Sequence, residues 1–312
     1  MSKSQILPWI QEQYIPSVRR YNMWMVAGFF DESTDESTEG ICYTVAGFIG
    51  NQLITATLEL RWRCILDRYG LDYFKASELS AGTGQFQKFR DDPNNFDWRP
   101  FSQREKEIFT KIKTEFTEVI LSCSSDLYGI GAVVILPDLE RVRKDFDHAK
   151  SLPMPYFLCA NMVLVEAGLE MLNQNKGVTP SELCYLRPIF DSHEDYSGRV
   201  KSTWDTFCQK NPNASRYIDP PHYEKEEVYL TLQAADNLAF EIRKFLGTLR
   251  RKLPIRESMR GLLQNYMTIY NFNYDTLKMV ADAQIGIFPE KIRDAVKPIK
   301  EPLEILRTKI ET

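Results

Sequence analysis

Met23-Trp-Met-Val-Ala-Gly-Phe-Phe30, followed at once by Asp31 and Glu32, decides how this chain is read. A short, unbroken apolar run bounded by polar residues predicts a buried strand covered on both faces. Asp31 stands where that strand meets solvent or a site, at the head of Asp31 to Gly40, an acidic, hydroxyl-rich stretch with the composition of a turn. Ile41 to Ile49 predicts a second strand, so the two form a hairpin with an acidic loop. The question for the rest of the chain is which other acids converge on Asp31.

Working outward, Thr55 to Tyr69 is helical, with Leu58, Trp62, Ile65 and Leu66 on one face and Gly70 as terminator. Phe74 to Leu79 carries Glu78 just before a glycine-bearing loop. Ser102-Gln-Arg-Glu105 matches a capping box and predicts a helix over about 103–121. Leu127 to Leu136 is a further strand. Pro155 opens a helix to about Asn173 that is apolar on most sides and so belongs in the middle of the fold. Leu183 to Phe190 is a strand that ends, like the first, in an acid: Asp191. A strongly periodic helix then runs from Tyr229 to Leu246. Strands alternating with helices predict an α/β layered domain.

On that last helix Leu232, Ala235, Ala239, Ile242 and Leu246 form the buried stripe. At roughly 100° per residue Asp236 falls within the same face. An unpaired buried carboxylate costs several kcal/mol, and metal coordination is one way to offset it. Asp31 and Asp191 at strand ends, with Asp236 on an inward helix face, make a three-acid cluster. Oxygen-only ligands without a His or Cys pattern select Mg²⁺ or Mn²⁺. Two such ions about 4 Å apart serve phosphodiester cleavage. Each of these aspartates is equally a residue type that caps helices and forms turns.

At 312 residues, 43% apolar and 26% charged, the chain is globular in composition. A formal charge of −4 argues against a wholly basic, nucleic-acid-coating surface, so any nucleic-acid contact is regional. Arg250, Arg251, Lys252 and Arg256 form the best basic cluster, with Arg141, Arg143 and Lys144 second; either also reads as a solvated helix face. The six cysteines show no zinc spacing and read as buried thiols in a reducing cytosol. With no leader-like or membrane-length apolar segment read in the sequence, a cytoplasmic protein is expected. Residues 1–22 read as an N-terminal arm, 23–247 as the domain, and 248–312 as a helical C-terminal extension, with Leu262, Leu263, Tyr266, Ile269 and Tyr270 at helical spacing.

Phe30-Asp-Glu-Ser-Thr34, Lys75-Ala-Ser-Glu-Leu79, Ile189-Phe-Asp191 and Leu232-Gln-Ala-Ala-Asp-Asn-Leu-Ala239 resemble, in this order, the motifs of the DUF3800 family. The helix motif with Asp-Glu-Ser is fairly distinctive; Ile-Phe-Asp alone is weak. The chain departs from the family's Asp-Glu-Ser-Gly by carrying Thr34. The resemblance implies an RNase H-like mixed β-sheet flanked by helices and a Mg²⁺- or Mn²⁺-dependent nuclease acting on DNA or RNA. Carried over, Asp31, Asp191 and Asp236 are its catalytic metal ligands and Glu78 a fourth, although an acid in a loop is also simply solvated. Around them stand auxiliary candidates, each with a plain alternative. Glu32 neighbours Asp31; Lys75 meets a phosphate or water; His193 is a proton shuttle or a loop group. Gln233 positions water or nucleic acid, or hydrogen-bonds a neighbouring strand. A non-catalytic RNase H-like binding module in a nucleic-acid or host-defence assembly, with or without self-association, is the alternative function. An aspartyl phosphatase is disfavoured because Ser33 stands where its second acid belongs, and no glycine-rich phosphate loop near Asp31 supports an actin-like ATPase.

Overall fold

The structure, a computed structural model, describes residues 24–34, 42–93, 100–124, 126–177, 184–192, 204–205, 208–209, 212, 215–226, 228–250, 259, 261–262 and 267–282. Its strands are β1 (Trp24–Thr34), β2 (Cys42–Asn51), β3 (Leu127–Ile135), β4 (Cys184–Asp191), β5 (His222–Glu224) and β6 (Met267–Phe272). Its helices are α1 (Gln52–Tyr69), α2 (Ala76–Ala81), α3 (Gln103–Ser122), α4 (Leu136–Asp145), α5 (Pro155–Gln174), α6 (Leu230–Arg250) and α7 (Tyr274–Asp282). The strands form one mixed sheet in the order β5-β4-β1-β2-β3-β6, in which only β2 runs antiparallel to its neighbours. The chain is thus an α/β protein with helices on both faces, and β1 lies centrally beside β4.

The alternation along β1 explains its central place. Val26 and Phe30 enter the core on the α5 face, whereas Ala27 and Phe29 pack on the other face against Ile189 and Leu232 of α6. Each face needs cover, and α5 and α6 supply it. The apolar length of α5 would suffice to cross a membrane, but 78% of that window is buried inside the fold. The β1–β2 pair is close enough that Gly47, opposite Phe30, admits no side chain: an added Cβ would stand 1.8 Å from the Phe29 carbonyl oxygen. Around the second core, Gly70 closes α1 in the left-handed conformation at φ 60. The Ser102–Glu105 capping box opens α3, and the Glu105 carboxylate also pairs with the buried Arg90 at 3.3 Å.

Three expectations change. Asp31 does not begin a turn; β1 continues through Thr34, because β2 goes on pairing with it to Thr34↔Tyr43 after the β4 pairing has stopped at Phe30↔Phe190. Glu78 sits on α2, not in a loop. The C-terminal stretch is not purely helical either. Ile269 and Tyr270 lie in β6, which pairs in parallel with β3 and so belongs to the sheet. The open edge of β3 offers unpaired backbone groups, and Met-Thr-Ile-Tyr-Asn-Phe is a good strand former to satisfy them.

Candidate acidic site

The site is a layer in the stack between the sheet and α6. Phe29, Ile189 and Leu232 pack together, on β1, β4 and α6 respectively. Two residues further along each strand, on the same face, are Asp31 and Asp191; one helical turn further along α6 is Asp236. Two strand residues advance about 6.6 Å and one turn of helix about 6 Å, so the three acids occupy neighbouring levels by geometry alone. The next level is again polar: the Arg243 guanidinium of α6 donates from Nε to Ser33 Oγ at 2.9 Å. Period two sends Glu32 to the opposite face of β1.

Asp31 and Asp236 are 4% and 5% exposed, and Asp191 is half-buried. One Asp31 oxygen, Oδ1, accepts from the Glu32 amide at 2.7 Å, while buried Oδ2 has no hydrogen-bond partner among the described residues. Burial first, then Asp236, Glu32 and Asp191, hold the Asp31 carboxyl well above the ordinary carboxylate range, against the pull of Lys75. Burial also pushes Asp236 up to about 6; the Ala76 N–H and then Lys75 pull it down, Asp191 pushes it up, and Arg243 pulls it down. Burial opposes the charge on Lys75, but Glu226, Asp236, Asp31 and Asp191 together outweigh it and raise the ammonium above the ordinary lysine value.

An extended segment preceding α2 is laid along α6 by two side chains one turn apart. Gln233 Oε1 accepts from Phe74 N at 2.9 Å, and Asp236 Oδ2 accepts from Ala76 N at 2.7 Å. Lys75 lies between them and reaches Glu226 at 3.7 Å. Gln233 is completely buried; its Oε1 also accepts from Trp62 Nε1 at 3.0 Å, and its Nε2 donates to the Glu226 carbonyl at 3.1 Å. Its role is therefore scaffolding, through a helix indole and two backbone groups outside the strands instead of the neighbouring strand that was expected.

The structure thus brings Asp31, Asp191, Asp236, Lys75 and, from the far face of β1, Glu32 into one electrostatic neighbourhood. Glu78 is turned elsewhere: both its oxygens lie 3.0 Å from the Tyr73 hydroxyl. His193, Arg251, Lys252 and Arg256 lie outside the described residues, as does the Arg250 side chain. In the second basic cluster, Arg141 stacks over Tyr274 and Arg143 Nη2 donates to the Leu152 and Pro153 carbonyls, so both side chains hold α4 in place. Arg243 was missed by the sequence reading. It follows Asp236 by seven residues on α6, so a charged pair on one helical face was the available signal.

The donor chemistry fits a hard divalent cation. Three carboxylates, Asp31, Asp191 and Asp236, face two cations, Lys75 and Arg243, and one carboxylate oxygen is buried without a donor among the described residues. They are not a preformed coordination shell. Among the described residues no group of three or more His, Cys, Asp or Glu stands close enough to hold a metal ion.

Comparison of the chain with family models, with characterised protein sequences and with solved structures finds no match.

Proposed function

We propose that this protein is a Mg²⁺- or Mn²⁺-dependent phosphodiester-processing enzyme, a nuclease on an RNase H-like fold of the kind its DUF3800-like motifs imply. The observation that carries this reading is the buried Asp31 carboxylate. Its Oδ2 has no donor among the described residues and its proton affinity is raised by burial and by Asp236, an arrangement that a divalent cation would relieve. Support for the RNase H-like arrangement comes from the antiparallel β1-β2-β3 unit extended by parallel β4 and β5, with acids late in β1 and β4 and on the covering helix.

Asp31, Asp191 and Asp236 would hold the cation, which supplies Lewis acidity and an activated water when bound. Asp236 is oriented for this by the Ala76 N–H on Oδ2, and Gln233 fixes the backbone that provides that donor. Lys75 places a permanent positive charge beside the acids, where a phosphate group would approach. The buried walls formed by Phe29, Ile189 and Leu232 keep water from one side of the acids and strengthen every charge interaction there.

The test is calorimetric titration of Mn²⁺ into the wild type and Asp31→Asn, paired with cleavage of single- and double-stranded DNA and RNA. Wild type should bind Mn²⁺ and cleave at least one substrate; Asp31→Asn should lose both. Equal Mn²⁺ binding and cleavage by the two proteins would sink the proposal. The second reading, a binding module without catalysis, is favoured by the open spacing of the acids. It predicts nucleic-acid binding without cleavage in any divalent metal.

A further inference from the structure

Beside the acidic layer, on the flank of α6 that faces α2 and α3, is a cavity of about 170 Å³. Phe74, Phe101, Phe109 and Phe240 supply aromatic wall, while Ser80, Lys106 and Thr110 are exposed at its mouth. Buried in its wall is the carboxamide of Asn237, the residue after Asp236. Asn237 is 1% exposed, yet among the described residues neither its Oδ1 nor its Nδ2 has a hydrogen-bond partner. Leaving a buried carboxamide with neither donor nor acceptor satisfied costs stability, so the position calls for an incoming partner. Ala76 belongs to both places: it lines this cavity, and its N–H donates to Asp236.

We infer that this cavity is a nucleobase pocket that holds one unstacked base of the nucleic acid presented to the acidic site. The substrate class rests on the proposed function; the pocket itself does not. A carboxamide offers one acceptor and one donor side by side, the pattern that pairs in bidentate fashion with the edge of a base. The volume is too small for a drug-sized ligand and suits a single planar ring system. Aromatic walls match the π-face that every base presents, which is how proteins take single bases out of a stack. Lys106 at the mouth adds positive charge for the attached phosphate. Lys113, also in the lining, is ion-paired with the buried Glu241 and contributes less.

The experiment uses the full chain with EDTA present, so that its outcome does not depend on metal binding or cleavage. The four nucleoside 5′-monophosphates, and ribose 5-phosphate as the probe without a base, are titrated by calorimetry and by saturation-transfer NMR. At least one nucleotide should bind roughly tenfold or more tightly than ribose 5-phosphate, as stacking and two hydrogen bonds to the base require. Asn237→Leu, which removes the unsatisfied amide, should keep or raise the melting temperature and weaken that nucleotide by roughly tenfold or more. Phe101→Ala, at a half-buried wall, should weaken it as well. Nucleotides that bind no better than ribose 5-phosphate, or an Asn237→Leu protein with full affinity, would overturn the inference. The comparison of nucleotide with sugar phosphate is made on the wild type, so it stands even if Asn237→Leu does not fold. Base binding without any Mn²⁺-dependent cleavage would leave the pocket standing and remove the nuclease reading; cleavage without base binding would do the reverse.

Discussion

Replacing Asp236 by Asn removes a charge that the fold holds at a loss. Burial moves this carboxyl from its ordinary 3.8 to about 6, so the folded state binds the proton more tightly than the unfolded chain does. A carboxyl whose folded pKa is raised contributes stability in full below its unfolded pKa and loses that stability as the pH climbs through about 6. Two units at roughly 1.36 kcal/mol each make a swing of about 3 kcal/mol. Asn keeps the shape and an acceptor oxygen for the Ala76 N–H, and it has no charge to bury. Without metal, the variant should therefore match the wild type near about pH 4 and exceed it by about 1–3 kcal/mol near pH 8. The lower figure allows for lost attraction to Lys75 and Arg243. Urea unfolding followed by circular dichroism, across this pH range in EDTA, measures the difference. Mg²⁺ at a hundredfold excess over its Kd should then add about 2.7 kcal/mol to the wild type and little to the variant. A variant less stable than the wild type at pH 8 without metal, or two stability profiles that run parallel with pH, would refute the reasoning.

Gln233→Ala strands the Trp62 indole N–H and the Phe74 amide in the core; urea unfolding should show a loss of about 3 kcal/mol or more, and a loss under 1 would contradict the scaffolding role. Gly47→Ala should disrupt normal β1–β2 pairing, because the added Cβ would stand 1.8 Å from the backbone carbonyl oxygen of Phe29. A soluble variant with unchanged melting temperature would show that the two strands are less tightly apposed. Glu105→Ala leaves Arg90 buried without its carboxylate and opens the capping box of α3; about 3–5 kcal/mol of stability should go, measured by the same unfolding transition. If that loss were no larger than an exposed helix cap, about 1 kcal/mol, the ion pair would not be contributing as a buried one.

Much of the fold was legible locally because each signal is carried by neighbours in sequence. The apolar run ending at Phe30, the capping box at Ser102 and the left-handed Gly70 all act within one strand or one helix. The common facing of Asp31, Asp191 and Asp236 is legible too, since it needs only period two on the strands and 3.6 on α6. Local spacing failed at β6: Ile269 and Tyr270 continue a helical pattern with Leu262 and Tyr266, but the unpaired edge of β3 offers a better use for that segment. It also failed for Glu78 and Gln233, whose partners are settled by the packing of α2 and the preceding segment onto α6. What only the tertiary structure decided is the surroundings of the acids. Ala76 and Asp236 are 160 residues apart, yet one hydrogen bond between them fixes the carboxylate, places Lys75 beside it and forms a wall of the Asn237 cavity. No local pattern encodes such a meeting, because it exists only after the sheet has brought α6 and α2 together.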